Sequence, residues 1–167
     1  RSSEEIIAYT NRIANNFKIK YNKKIYGTGR RGERVHINSF KDEEKEGRYI
    51  CEKILAYKEK FPFEEMVILF RNRYTVKVIE KLLMEYKIPY YKKEMEEKNG
   101  VALYSLHSSK GLEWEIVFMP TLLDGVFPSN IERENLEEEK RLYYVGCSRA
   151  KSFLHLSYPK YHYEKLG

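Results

Sequence analysis

Cysteine is scarce in this chain: Cys51 and Cys147 are the only two in 167 residues, with no CxxC pair and no Cys/His cluster. That spacing excludes a zinc knuckle and a disulfide scaffold, and it fits a reducing compartment. No apolar run approaches the ~18 residues that a membrane-spanning helix needs, and the first residues do not form a signal peptide. A cytoplasmic protein without a membrane partner is expected. Internal repeats and low-complexity tracts are absent. So is any Gly-x-x-x-x-Gly-Lys-Ser/Thr loop, so nothing here can cradle the β and γ phosphates of a nucleotide in the P-loop manner.

What is present is enough for one ordinary domain, 1–167, with a real core: 42% hydrophobic and 34% charged residues, including 15 tyrosines that can bury a ring and keep a hydroxyl wet. The formal charge of +6 is lopsided, with 23 basic and 16 acidic side chains in residues 1–100 against 8 and 9 thereafter. Between residues 18 and 34, Lys18, Lys20, Lys23, Lys24, Arg30, Arg31 and Arg34 meet one acid, Glu33. A phosphate-tracking patch and a solvated loop both fit that composition.

Ser2 and Glu5 have the form of a capping box, and apolar positions from Ile6 to Ala14 then follow helical spacing. A helix starting so close to the first residue makes the chain look like a piece of a longer one. Beyond the basic stretch, alternation and apolar runs predict strands at 35–40, 66–70, 88–91, 101–105, 115–120 and 153–158. Helices are predicted at 42–61, 74–86 and 137–146, with Ile50, Cys51, Ile54, Leu55 and Tyr57 on one buried stripe and Val78, Leu82 and Leu83 on another. Strands alternating with helices indicate a parallel, doubly wound α/β sheet.

Three segments carry candidate chemistry. GTGRRG at 27–32 has the GxGxxG form but precedes a strand, whereas a dinucleotide loop follows one, so it is expected to be a flexible loop. SLHSSKGLEW at 105–114 crowds small, basic and acidic residues between two apolar strands, where α/β sheets place ligands. There Gly111 allows close backbone approach, Ser105 and His107 can bond phosphate oxygens, and Glu113 can accept from a ribose diol; a plain polar turn fits as well. EEEKRLYYVGCSRA at 137–150 starts with carboxylates at a helix N-terminus and ends with Arg149 past its C-terminus. A guanidinium held there can reach the terminal phosphate of a nucleotide bound elsewhere, and a surface salt bridge is the competing explanation.

In this order and spacing, the second and third segments resemble motifs V and VI of UvrD/Rep-like superfamily 1 DNA helicases. GVFP at 125–128 and VILFR at 67–71 are also similar to the family, and RSS at 1–3 resembles the end of motif IV without the aromatic residue that precedes it. The resemblance implies the second, RecA-like (P-loop NTPase-type) motor domain of an ATP-dependent 3′–5′ helicase, a parallel sheet flanked by helices. It makes Arg149 and Arg1 the γ-phosphate sensors, Glu113 the ribose contact beside Gly111, and Ser105, His107, Arg71 and Arg73 the single-stranded DNA contacts. Ser105 stands where the family usually has Thr, and Arg73 where it usually has Asn. The implied cofactor is ATP with Mg²⁺, bound mainly by the N-terminal motor domain of the same polypeptide, and the implied partners are that domain and single-stranded DNA. Relatives insert a large accessory domain where this chain has only a charged link at 92–100. A non-motor nucleic-acid-binding or docking module of the same fold, and the motor part of a helicase-nuclease, are the alternatives.

Overall fold

The computed structural model describes residues 35–71, 73–121 and 136–161. The expected N-terminal helix, the basic stretch, the GxGxxG loop, Arg1 and the GVFP segment lie outside the described residues. Among these residues are six strands and three α-helices, in the order β1 Val35–Asp42, α1 Glu43–Tyr57, β2 Met66–Phe70, α2 Lys77–Glu85, β3 Tyr90–Lys92, β4 Val101–Ser105, β5 Trp114–Met119, α3 Leu136–Cys147 and β6 Ala150–Tyr161. The strands form one sheet in the order β1-β6-β5-β2-β4-β3, and every neighbouring pair is parallel.

Burial on both faces explains why β2 and β4 are unbroken apolar runs. Val67, Leu69, Ala102, Tyr104, Val117 and Met119 point to the face covered by Leu106 and by Tyr143 and Cys147 of α3. Met66, Ile68, Val101, Leu103, Ile116 and Phe118 point to the other, covered by α1 and α2. The two helices on that second face lie close because Gly47 gives way to Leu82: a Cβ on residue 47 would sit 2.5 Å from Leu82 Cδ1. Asp42 starts α1 by accepting a hydrogen bond from the Lys45 N–H at 2.9 Å.

Several expected bounds shift. α1 ends at Tyr57 rather than 61, and Leu55 is 41% exposed, because the buried stripe follows Gly47, Ile50, Cys51 and Ile54. In α2 the deeply buried position is Ile79, with Val78 only half-buried, and the first turn expected for this helix is a 3₁₀ turn, Arg73–Val76. β3 begins two residues later than expected, at Tyr90. β6 is twice the expected length because it pairs along β5 and β1 in succession.

Two buried ionisable side chains, Glu46 and His155, contribute opposed pH responses to the fold. Glu46, 1% exposed, accepts from the Thr121 N–H at 3.0 Å and from the Ser157 hydroxyl at 2.7 Å. Burial raises its pKa from 4.5 to about 7 in spite of those bonds. His155, 2% exposed, lies between the Tyr57 hydroxyl at 2.6 Å on Nε2 and the Tyr49 hydroxyl at 3.3 Å on Nδ1. Burial, with His36 and Lys53 nearby, lowers its pKa from 6.5 to about 3.

The folded state thus keeps the Glu46 proton to about pH 7 whereas the unfolded chain releases it near 4.5, so this group removes stability as pH rises between those values. His155 acts in the opposite sense, removing stability as pH falls from 6.5 toward 3. Stability measured by urea unfolding is therefore expected to vary little between pH 4.5 and 6.5, where the two slopes oppose. Glu46→Gln, which keeps acceptors for both donors, should make stability rise with pH across that window and abolish a decline of roughly 3 kcal/mol. An unchanged pH profile in the variant would show that Glu46 is ionised in the fold.

Candidate functional site

β4 and β5 lie on either side of β2 and run parallel to it, so a chain that leaves β4 at one edge of the sheet must enter β5 at the opposite edge. Residues 106–113 make that crossing without an α-helix. Eight residues reach at most ~28 Å when extended, and a strand of five or six already spans ~17–20 Å. The crossing has little slack.

Its path is fixed by backbone bonds. Ser105 is in register with Phe70, and the next N–H, that of Leu106, donates to the Phe70 carbonyl at 2.9 Å. The 3₁₀ turn His107–Ser109 follows. Ser105 Oγ accepts from the Ser108 N–H at 3.2 Å and lies 2.8 Å from Ser108 Oγ. The hydroxyl of Ser109, fully buried, donates to the Leu106 carbonyl at 2.7 Å. Gly111 then turns the chain with φ of 82°, the left-handed region that a side chain disfavours.

At the far edge the crossing meets the end of α3. Arg149 Nη1 donates to the Leu112 carbonyl at 3.1 Å, and the Trp114 N–H donates to the Arg149 carbonyl at 2.9 Å. Glu113, exposed, sits between those two contacts and so is held beside Arg149. The guanidinium is steadied by Nε donating to the Val145 carbonyl at 3.1 Å and Nη2 to Ser148 Oγ at 2.9 Å, while Ser148 Oγ donates to Val145 O at 2.7 Å. A guanidinium has five N–H donors, and these contacts leave two of them unused. Close approach of α3 to the crossing requires Gly146, where a Cβ would lie 2.5 Å from Leu106 Cδ2 and 2.8 Å from Met119 Cε.

The residues singled out in the sequence therefore fall into two groups. Gly111, Glu113 and Arg149 gather at the edge where β5 and β6 begin. Ser105, exposed His107, half-buried Arg71 and exposed Arg73 gather at the opposite edge, where β4 and β2 end. Arg73 is ion-paired with Glu94 at 3.2 Å, and an open cleft of about 490 Å³ runs from Ser105 and Ser108 past Phe70 to Lys77 and Lys93. Arg1 lies outside the described residues, as does the side chain of Tyr144. Both cysteines are free and buried, and no cluster of metal-ligand type occurs among the described residues. No helix among them is long and apolar enough to cross a membrane.

Sequence reasoning misses Glu46, which looks like one more acid in a charged helix start. Extending the α1 stripe backward from Ile54 through Ile50 by helical steps would reach it. It also misses that Lys77 and Lys93 line the cleft beside Ser105, which depends on which strands are neighbours.

The family model for the UvrD-like helicase C-terminal domain matches this chain over residues 1–94 and again over 90–161. The chain belongs to that family. The two matches meet at β3 and the start of the link that precedes β4. Among curated relatives, this UvrD-like domain is 35% identical over 83 residues to the ATP-dependent DNA helicase srs2 of Schizosaccharomyces pombe, covering 50% of this chain and 9% of that protein. It is 46% identical over 66 residues to the ATP-dependent DNA helicase PcrA of Bacillus subtilis, covering 38% of this chain and 9% of the relative. With the ATP-dependent DNA helicase Rep of Buchnera aphidicola subsp. Acyrthosiphon pisum it shares 45% identity over 65 residues, 38% of this chain and 10% of that protein. The UvrD-like domain thus spans about a tenth of the length of these relatives. The solved C-terminal domain of a possible DNA helicase from Lactobacillus plantarum WCFS1 superposes with a TM-score of 0.64 at 18% identity, covering 88% of this chain and 84% of that one. That likeness, with the all-parallel sheet and its flanking helices, establishes the RecA-like fold.

Packing of α3 on the crossing is tight enough to test. Gly146→Val is expected to lower stability by on the order of 2 kcal/mol in urea unfolding, because the added side chain meets Leu106 and Met119, both buried, and forces them to repack. Wild-type stability in that variant would mean that α3 stands off the crossing.

Proposed function

We propose that this domain is the second motor domain of an ATP-dependent DNA helicase or translocase that moves from 3′ toward 5′ along single-stranded DNA. The observation that carries the proposal is the short, eight-residue crossing: one end holds the hydroxyls and cations suited to a strand, the other holds Glu113 and Arg149. A nucleotide-dependent shift at Arg149 is transmitted to Leu112 through a direct hydrogen bond, and the crossing ends at Ser105. The 45% and 46% identities to helicases named ATP-dependent support the same reading.

In this proposal ATP with Mg²⁺ is held mainly by the N-terminal motor domain, since the Walker A loop is absent from these 167 residues. The bound nucleotide supplies the phosphoryl transfer that drives the motor. Arg149, permanently charged and already aimed by Val145 and Ser148, turns its Nη groups onto the γ-phosphate as charge develops there. Arg1 is the second γ-phosphate contact and Glu113 the acceptor for the ribose hydroxyls, with Gly111 leaving room for close approach. At the other edge Ser105, His107, Arg71 and Arg73 hold the strand. Ser105 and Ser108 bond to each other, so a phosphate oxygen, which only accepts, must recruit one of their two hydroxyl protons.

The purified chain alone is expected to show no DNA-stimulated ATP hydrolysis. In a polypeptide that also carries the Walker A domain, Arg149→Ala should lower kcat by about 10³-fold or more while nucleotide affinity changes little. Unchanged turnover would remove Arg149 from the γ-phosphate.

A further inference from the structure

The backbone of Arg149 is fixed on both sides. Its N–H donates to the Gly146 carbonyl at 3.1 Å and its carbonyl accepts from the Trp114 N–H at 2.9 Å, so the remaining freedom is in the side chain. Three acceptors limit that freedom. Two are the main-chain carbonyls of Leu112 and Val145, which any residue at those positions would supply. The third is the Ser148 hydroxyl, and it depends on the residue type.

Ser148 is the first residue past α3 and is half-buried. Its hydroxyl reaches back three residues to donate to the Val145 carbonyl at 2.7 Å, a local bond of the kind that serine and threonine make. That uses the one hydroxyl proton and leaves the oxygen as an acceptor, to which Arg149 Nη2 donates at 2.9 Å. The same Val145 carbonyl accepts from Arg149 Nε at 3.1 Å. Val145 O and Ser148 Oγ thus stand 2.7 Å apart and receive Nε and Nη2 as the two oxygens of a carboxylate would. This pair orients the guanidinium but carries no negative charge, and no carboxylate among the described residues is ion-paired with Arg149. With Nη1 on Leu112 and Nη2 on Ser148, each terminal nitrogen keeps one unused N–H, a fork suited to two oxygens of one anion.

We infer that Ser148 is a positioning residue for the proposed γ-phosphate contact: its hydroxyl, locked by Val145, sets the plane of the Arg149 guanidinium before a nucleotide arrives. The inference rests on the role proposed for Arg149 and deepens it. An aspartate at 148 would orient the group and cancel its field. An alanine would leave Nη2 without this acceptor and let the plane of the fork turn, and misalignment at a reacting centre is costly in rate.

Steady-state ATP hydrolysis at saturating single-stranded DNA, in a polypeptide that also carries the Walker A domain, tests it. Ser148→Ala should lower kcat roughly tenfold, the worth of one hydrogen bond to a charged group, with little change in KM for ATP. Ser148→Thr, which keeps the hydroxyl, should restore kcat. Adding Ser148→Ala to Arg149→Ala should cost nothing further, because a positioning residue acts only through the group it positions. Wild-type kcat in Ser148→Ala, with Arg149→Ala still impaired, would overturn the positioning role and leave the γ-phosphate contact standing. Wild-type kcat in both single variants would overturn both readings. A loss that Ser148→Thr fails to restore, or that adds to the Arg149→Ala loss, would overturn the inference by showing that Ser148 acts through the packing of α3.

Discussion

Parallel strands cannot be joined by a tight turn, because the chain leaves one strand at the edge opposite to the one where it must enter the next. Most α/β proteins fill that distance with a helix. Between β4 and β5 this domain uses eight residues, and almost every other feature of the site follows from how short that is. Ser105 must be the last residue of β4 and Glu113 the residue just before β5, so a polar group stands at each edge without any loop to carry it there. The middle must press against the sheet, which is why Leu106 and Ser109 are fully buried in a segment that reads as polar. Helix α3 must come close over the crossing, which is why residue 146 is glycine.

Arg149 is held by main-chain carbonyls rather than by a carboxylate. Val145 and Leu112 supply neutral acceptors, so the guanidinium keeps its full charge for an outside partner while its direction is set. A salt bridge at the same place would have oriented the side chain and cancelled its field. The surface ion-pair reading of Arg149 therefore finds no support among the described residues, and the unused N–H groups remain suited to an anion. At the opposite edge the pattern differs: Arg73 and Lys92 are paired with carboxylates, and the charge left over belongs to their unpaired neighbours.

Much of this is legible in the order of the amino acids. The limits of β2 and β4 come straight from apolar runs, because a strand buried on both faces has no polar position to blur its ends. The motif around Arg149 puts it past the end of its helix, and the family resemblance sets Glu113 with it in one proposed site. Other features leave no trace in periodicity. Strand order is one, since burial of β6 says nothing of whether it lies against β1, β5 or both. The Leu112 carbonyl is another, being backbone that any residue would offer. Leu55 misleads because one apolar residue on a charged helix matches a stripe by chance, and Glu46 is hidden because a carboxyl buried in a core has the same letter as one at the surface.

Strand order also governs the time course of synthesis. Among the described strands β1 lies at one edge of the sheet, and its neighbour β6 follows all the others in sequence. While the ribosome adds the long stretch between them, the hydrogen-bonding groups of Val35–Asp42 have no place in the sheet, although β2, β4 and β5 can already assemble around one another. Closure of the six described strands waits on the synthesis of β6, and a nascent chain released short of Ala150 carries a β1 that lacks this neighbour and is open to pairing with another molecule.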